Sequence, residues 1–235
     1  MRPDLVLLHG GGGNAAMMEP LSELLVQHAK VFVPNLVGHG GRAIPASISI
    51  DDWAKDLIAQ LDERGLKRVV LMGYSVGGTL ALYLARKYPK RVRAVCTLAA
   101  KFVFDEKSIE HFVYLCQPEK VAAQGGKLAQ ELADMHKPQD WKVLYPRMAK
   151  FYERFCDQPP LTDADLAAIE VPALVISSMK DPLVAWPETL HGALRLPRGH
   201  AVTFPGKAHP LVEVPLPFVA RAVAAWLAEV VAEAD

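Results

Sequence analysis

The chain has 235 residues, 51% of them apolar in the AVILMFWYC set and 22% charged. That apolar share excludes long disorder, because such a chain buries enough surface to offset its ordering entropy. Lys+Arg and Asp+Glu each number 26, so formal charge is zero, which argues against a dedicated binder of nucleic acid or of an acidic membrane.

In chain order, Leu5-Val6-Leu7-Leu8 has the continuous apolar pattern of a buried strand. Asn14 is placed to cap a helix reaching about Ala29. Val31-Phe32-Val33 reads as a strand ended by Pro34, followed by a turn-rich loop through Gly38, Gly40, Gly41 and Pro45. A helix is predicted from Asp51 or Asp52 to about Arg64, stopped by Gly65. Then come a strand over 69–72, a helix over 79–88 and a strand over 92–98. Residues 101–160 are helical in pattern, with no clear buried strand. The alternation resumes with a strand over 173–176, a helix over 187–196, a strand over 201–204 and a closing helix from Val214 to about Ala232. Six continuous apolar strands separated by helices predict a parallel sheet covered on both faces, a three-layer α/β/α sandwich.

No uncharged apolar run reaches the roughly 18 residues of a bilayer-spanning helix, so no membrane insertion is expected. The amino terminus lacks the profile of a secretory leader. Cys96, Cys116 and Cys156 are odd in number and widely spaced, fitting neither a disulfide framework nor a zinc site. A cytoplasmic protein is expected on these grounds, with oligomeric state left open.

Gly73-Tyr74-Ser75-Val76-Gly77 lies between a predicted strand and a predicted helix. A nucleophile on so tight a turn needs glycine on either side, where a side chain would collide. The turn also puts the Val76 N–H at the helix amino end, where partial positive charge favours an oxyanion. A serine needs a base, and the base an orienting carboxylate. Asp181 and His209 follow later strands in the order Ser, acid, His. His200 sits at a strand start, the wrong end of the sheet for chemistry. His111 and His136 fall in the 101–160 segment, and Asp105 is a fallback acid. Gly11-Gly12-Gly13-Asn14-Ala15-Ala16 fits the dinucleotide fingerprint, but Asn35 stands near where the ribose-binding acid belongs, and Ser75, Asp181 and His209 would go unexplained. An oxyanion loop is the preferred reading, and no metal or organic cofactor is expected.

Together these residues resemble the α/β-hydrolase superfamily over nearly the whole chain, most of all small bacterial carboxylesterases of the monoglyceride-lipase-like kind. Leu7-Leu8-His9-Gly10 is similar to the family's oxyanion loop, which implies that the Gly11 N–H joins that of Val76. Pro34-Asn35-Leu36-Val37-Gly38-His39-Gly40 resembles its P-D-x-x-G-x-G loop, with Asn35 for Asp. Gly206-Lys207-Ala208-His209 resembles its G-x-G-H turn, with Ala208 for Gly. The resemblance implies a Ser75–His209–Asp181 triad and a core of 1–100 and 161–235. It also implies a helical lid over 101–160. The first two family strands would be missing, and the spatial order would be second, first, third, fourth, fifth, sixth. Nine of the eighteen aromatics lie in the lid, which suits it to roof an apolar small-molecule ester. Candidate substrate-binding residues are Gly10, Tyr74, Phe102, Phe104, Phe112 and Tyr145; His39 and Met179 fit the pocket mouth and loop packing equally well. The expected activity is carboxylic ester hydrolysis. A thioesterase, a lactonase or a lyase of the menaquinone-pathway kind would use the same triad, and a non-catalytic ligand receptor would use the same fold.

Overall fold

Six strands form one sheet in the computed structural model, which describes residues 2–232. They are β1 (Asp4–Leu8), β2 (Lys30–Phe32), β3 (Val69–Tyr74), β4 (Val92–Leu98), β5 (Ala173–Ser178) and β6 (Gly199–Phe204). All pairings are parallel, as the apolar runs predict, in the order β2-β1-β3-β4-β5-β6 that the resemblance implies. β3 and β5 are buried at every position, which is why their sequences run apolar without alternation. β6 lies at an edge, and its residues are correspondingly exposed up to Phe204.

Side chains alternate across the sheet into two cores. Leu5 and Leu7 of β1 point to one face, with α1 (Glu19–Leu25) and α10 (Leu216–Ala232), whose Leu21, Leu25, Val219, Val223 and Leu227 complete that layer. Val6 and Leu8 point to the other, with α2 (Ile50–Glu63), α3 (Val76–Lys87), α8 (Asp163–Ala167) and α9 (Trp186–Arg195). α2 buries Trp53, Ala54, Leu57 and Leu61 along one stripe. Each such aliphatic side chain stabilises the fold by about 1.5–3 kcal/mol.

Two helix boundaries differ from expectation for local reasons. α2 starts at Ile50 because the Ser49 hydroxyl accepts the Asp52 N–H, leaving Asp51 and Asp52 in the first turn against the helix dipole. The helix predicted over 14–29 divides. Asn14 caps a short 3-10 turn, Ala15–Met18, and α1 begins afresh with Pro20 in its first turn, where a missing N–H costs nothing.

Between β4 and β5 stand α4 (Glu106–Leu115), α5 (Pro118–Ala123), α6 (Gly126–His136) and α7 (Trp141–Asp157). The segment is helical, as its pattern predicts. Its first residues are fastened to α9. The Glu188 carboxylate accepts from Lys101 Nζ at 2.8 Å and from the Phe102 N–H at 3.0 Å. Among the described residues no helix is long and apolar enough to cross a membrane.

Candidate active site

The turn between β3 and α3 shows why its sequence is spaced as it is. Ser75 has φ 53 and ψ −126, a conformation that side chains rarely adopt. A Cβ on Gly73 would overlap the backbone of Gly77, and one on Gly77 would lie 2.5 Å from the His9 carbonyl oxygen. Glycine at both positions therefore lets α3 start at Val76, directly against β1. The Ser75 N–H donates to the Leu98 carbonyl at 2.9 Å, and its own carbonyl accepts from the Gly78 N–H at 2.8 Å. The side chain is thus presented on a turn whose backbone is held at both ends.

Asp181 and His209 come from the loops after β5 and β6, adjacent strands whose carboxyl ends are laced together. Met179 N–H donates to the Phe204 carbonyl, Lys180 N–H to that of Gly206, and the Ser178 hydroxyl to Gly206 as well. Asp181 Oδ1 accepts from the N–H groups of Leu183 and Val184 at 2.8 and 3.1 Å, which fixes the carboxylate plane. His209 Nδ1 lies 2.8 Å from Oδ2 and 3.0 Å from Oδ1 of that carboxylate. Because the carboxylate accepts, Nδ1 carries the proton and Nε2 of the neutral ring is left as the base. Nε2 is buried with no hydrogen-bond partner among the described residues. Behind the ring, Tyr74 packs at a centroid distance of 5.0 Å and donates its hydroxyl to the Ala208 carbonyl at 3.1 Å. Burial pushes the Tyr74 phenol up, so it stays a donor.

Ser75 and His209 face one cavity of about 580 Å³. Gly10, Gly11 and Gly12 form one wall. Phe112 and Leu115 from α4, Cys116 just after it, and Tyr145, Met148 and Tyr152 from α7 supply much of the remaining lining. Among the described residues the Gly11 N–H has no partner, whereas that of Gly12 donates to His39 Nε2 and that of Gly13 to the Gly10 carbonyl. The Val76 N–H opens α3 and has no intrahelical partner. Gly11 thus shares the cavity lining with Ser75, and Val76 follows Ser75 at the start of α3.

The glycine loop is held by three buried histidine rings in contact. His9 Nε2 accepts from the Leu36 N–H and its Nδ1 faces the Gly10 carbonyl at 2.8 Å. His39 bridges the Gly12 N–H and the Val37 carbonyl. His136, from α6, accepts from the Gly40 N–H and faces the Gly12 carbonyl at 3.0 Å. Each ring needs one bare and one protonated nitrogen, so all three are neutral. Burial lowers His9 to about 4 and pushes His39 well below the usual imidazole range, and it lowers His136 too. Asn35 does part of the same work, accepting from the Ala15 N–H at 2.7 Å.

Of the expected site residues, Ser75, His209, Gly10, Gly11, Tyr74, Phe112 and Tyr145 line the cavity, and Asp181 backs His209. Val76 and Phe104 line a small side pocket that also reaches Ser75. Phe102 is not brought to the site: its ring fills the space over Gly192 of α9. His39 and Met179 are not at the mouth. His39 is fully buried among the other rings, and Met179 is exposed away from the cavity lining. The Asp105 carboxylate caps α4 through the Ser108 N–H. Met148 and Tyr152 were not singled out for the site, although Tyr145, Met148 and Tyr152 fall at i, i+3 and i+7 on one helix face, a spacing visible in the sequence.

The α/β hydrolase fold family model matches residues 3–211. Over 251 aligned residues the chain is 30% identical to a Pseudomonas syringae protein named "Putative carbamate hydrolase RutD", covering 96% of this chain and 93% of that one. It is 37% identical over 101 residues to the pimeloyl-[acyl-carrier protein] methyl ester esterase of Aliivibrio fischeri, a match that spans 43% of this chain and only 38% of the esterase. A thermophilic esterase from Thermogutta terrifontis superposes with a TM-score of 0.78 at 24% identity, over 97% of this chain and 90% of that one. The parallel sheet, the strained serine turn and these likenesses place the chain in the α/β-hydrolase fold family.

Proposed function

We propose that this chain is a serine hydrolase that cleaves carboxylic esters of small, largely apolar substrates through an acyl-enzyme. The observation that carries the reading is the convergence on one apolar cavity of Ser75, on its strained turn, and His209, with Nδ1 held by Asp181. In the first half-reaction the Ser75 Oγ–carbonyl carbon bond forms as the hydroxyl proton passes to His209 Nε2. The carbonyl π pair moves onto oxygen, where the Gly11 and Val76 amides stabilise it. The C–O bond to the leaving group then breaks, with the proton delivered to the alkoxide. Water, deprotonated by His209, releases the acid by the same steps. Asp181 orients the ring and stabilises its charged form. The Ser75–His209 hydrogen bond closes when substrate fills the cavity, as is common for catalytic contacts that are long in the free enzyme.

Residues 101–160 act as a lid in this reading, since α4 and α7 supply much of the apolar lining of the cavity. The lid excludes water from the acyl group. A panel of short-chain aryl esters, thioesters, lactones and carbamates tests the assignment. Oxygen esters are expected to turn over fastest, with Ser75→Ala lowering turnover by at least about a thousandfold. Full activity in Ser75→Ala would overturn the proposal. Carbamate turnover above ester turnover would move the substrate class toward that of the RutD relative.

A further inference from the structure

The phenol of Tyr152 is the one polar group of α7 that stands against the proposed oxyanion pole. A Cβ placed on Gly11 would overlap its hydroxyl, and would also lie 3.4 Å from Val76 Cγ1. Ser75, Val76 and Tyr152 line one small side pocket, and Ser75, Gly11 and Tyr152 line the main cavity, so the phenol stands among the serine and the two residues whose amides are proposed to hold the oxyanion. Tyr152 is nine-tenths buried, yet its hydroxyl has no hydrogen-bond partner among the described residues. The ring is held on its other sides by Phe112, Phe151 and Phe155 at centroid distances of 5.1, 5.2 and 6.0 Å. It is therefore aimed before substrate binds. Burial holds the phenol well above its usual range, which keeps its proton in place.

We infer that Tyr152 is a catalytic residue: its O–H is a third donor to the tetrahedral oxyanion, supplied by the helical segment beside the two backbone N–H groups. The inference rests on the serine-hydrolase reading. In the acylation step the electron pair of the breaking carbonyl π bond settles on oxygen, and Tyr152 shares its hydrogen with that oxygen without transferring it. The proton from Ser75 still goes to His209. Gly11 is then needed for two reasons, its amide and the room it leaves for the phenol. Tyr114, an exposed tyrosine of α4 outside the cavity lining, serves as the control.

The test compares wild type, Tyr152→Phe and Tyr114→Phe on a short-chain aryl ester and with a trifluoromethyl ketone, whose serine adduct carries the same oxyanion. Tyr152→Phe is expected to lower kcat about ten- to hundredfold with KM within about threefold, and to weaken the ketone by a similar factor. Its thermal unfolding midpoint should be unchanged or higher, because only an unpartnered hydroxyl is lost. Tyr114→Phe should change kcat by less than about threefold. Unchanged kcat in Tyr152→Phe, or a loss confined to KM, would overturn the inference and leave Tyr152 a pocket wall. If wild type itself neither turns over esters nor binds the ketone at Ser75, the underlying reading fails and this inference with it.

Discussion

Ser75 sits in a backbone conformation that glycine tolerates and serine does not, at a cost of about 1–3 kcal/mol. The strain yields a measurable consequence. Ser75→Gly should raise the free energy of urea unfolding by about 1 kcal/mol while abolishing turnover, whereas Ser75→Ala keeps the strain and gains nothing. Equal stability of the glycine and alanine variants would argue that the turn is relaxed. Asp181→Asn preserves an oxygen for the Leu183 and Val184 amides but favours the wrong tautomer of His209. It should lower kcat by about 10³–10⁴-fold with little change in unfolding. At this scale the sequence was most legible. Gly-x-Ser-x-Gly is a steric requirement, and the collisions that a Cβ at Gly73 or Gly77 would meet are that requirement in atoms. Tyr152 was less legible, because a phenol on a helix face reads as packing until the fold shows it beside Gly11.

Between elements, the three histidines tie the loop after β1, the loop after β2 and the end of α6 into one block. The sequence left His39 open between the pocket mouth and loop packing, since a loop histidine between glycines gives no sign that the loop turns inward, and the structure shows packing. Its burial follows from contacts between loops 27 residues apart, with Trp53 packed edge-on at 5.5 Å. The block sets a pH dependence. His9 has a folded pKa of about 4 against 6.5 in the unfolded chain, so the unfolded state binds the proton first as pH falls. Its stabilising effect is complete above pH 6.5 and is lost progressively toward pH 4. Between pH 7 and 5 the urea unfolding free energy should fall by about 2 kcal/mol from His9 alone, with His39 and His136 adding in the same direction. His9→Asn should flatten that slope, and an equal slope in the variant would show the protons binding elsewhere. The split of the helix predicted over 14–29 belongs at this scale too. Pro20 favours a new helical start, which periodicity alone does not reveal.

For the molecule as a whole, strand number and direction were readable because a doubly covered parallel sheet imposes continuous apolar runs with helical crossovers, while strand order was legible only through the family resemblance. The place of the 101–160 segment was readable only as a break in that rhythm. What attaches it is a buried ion pair, Lys101–Glu188, with side-chain exposures of 9% and 12%. Glu188→Ala would strand the Lys101 ammonium and free two backbone donors, and should cost about 3–5 kcal/mol by urea unfolding. A loss under about 1 kcal/mol would mean that the apolar contacts of α4 and α7 hold the segment unaided. The central claim, that the sheet presents Ser75 as an activated nucleophile beneath that segment, is tested most directly by intact-mass and peptide mapping after treatment with a fluorophosphonate. The account predicts a single adduct on Ser75, absent from Ser75→Ala and strongly slowed in His209→Ala. No adduct, or an adduct on another residue with Ser75 unmodified, would contradict it.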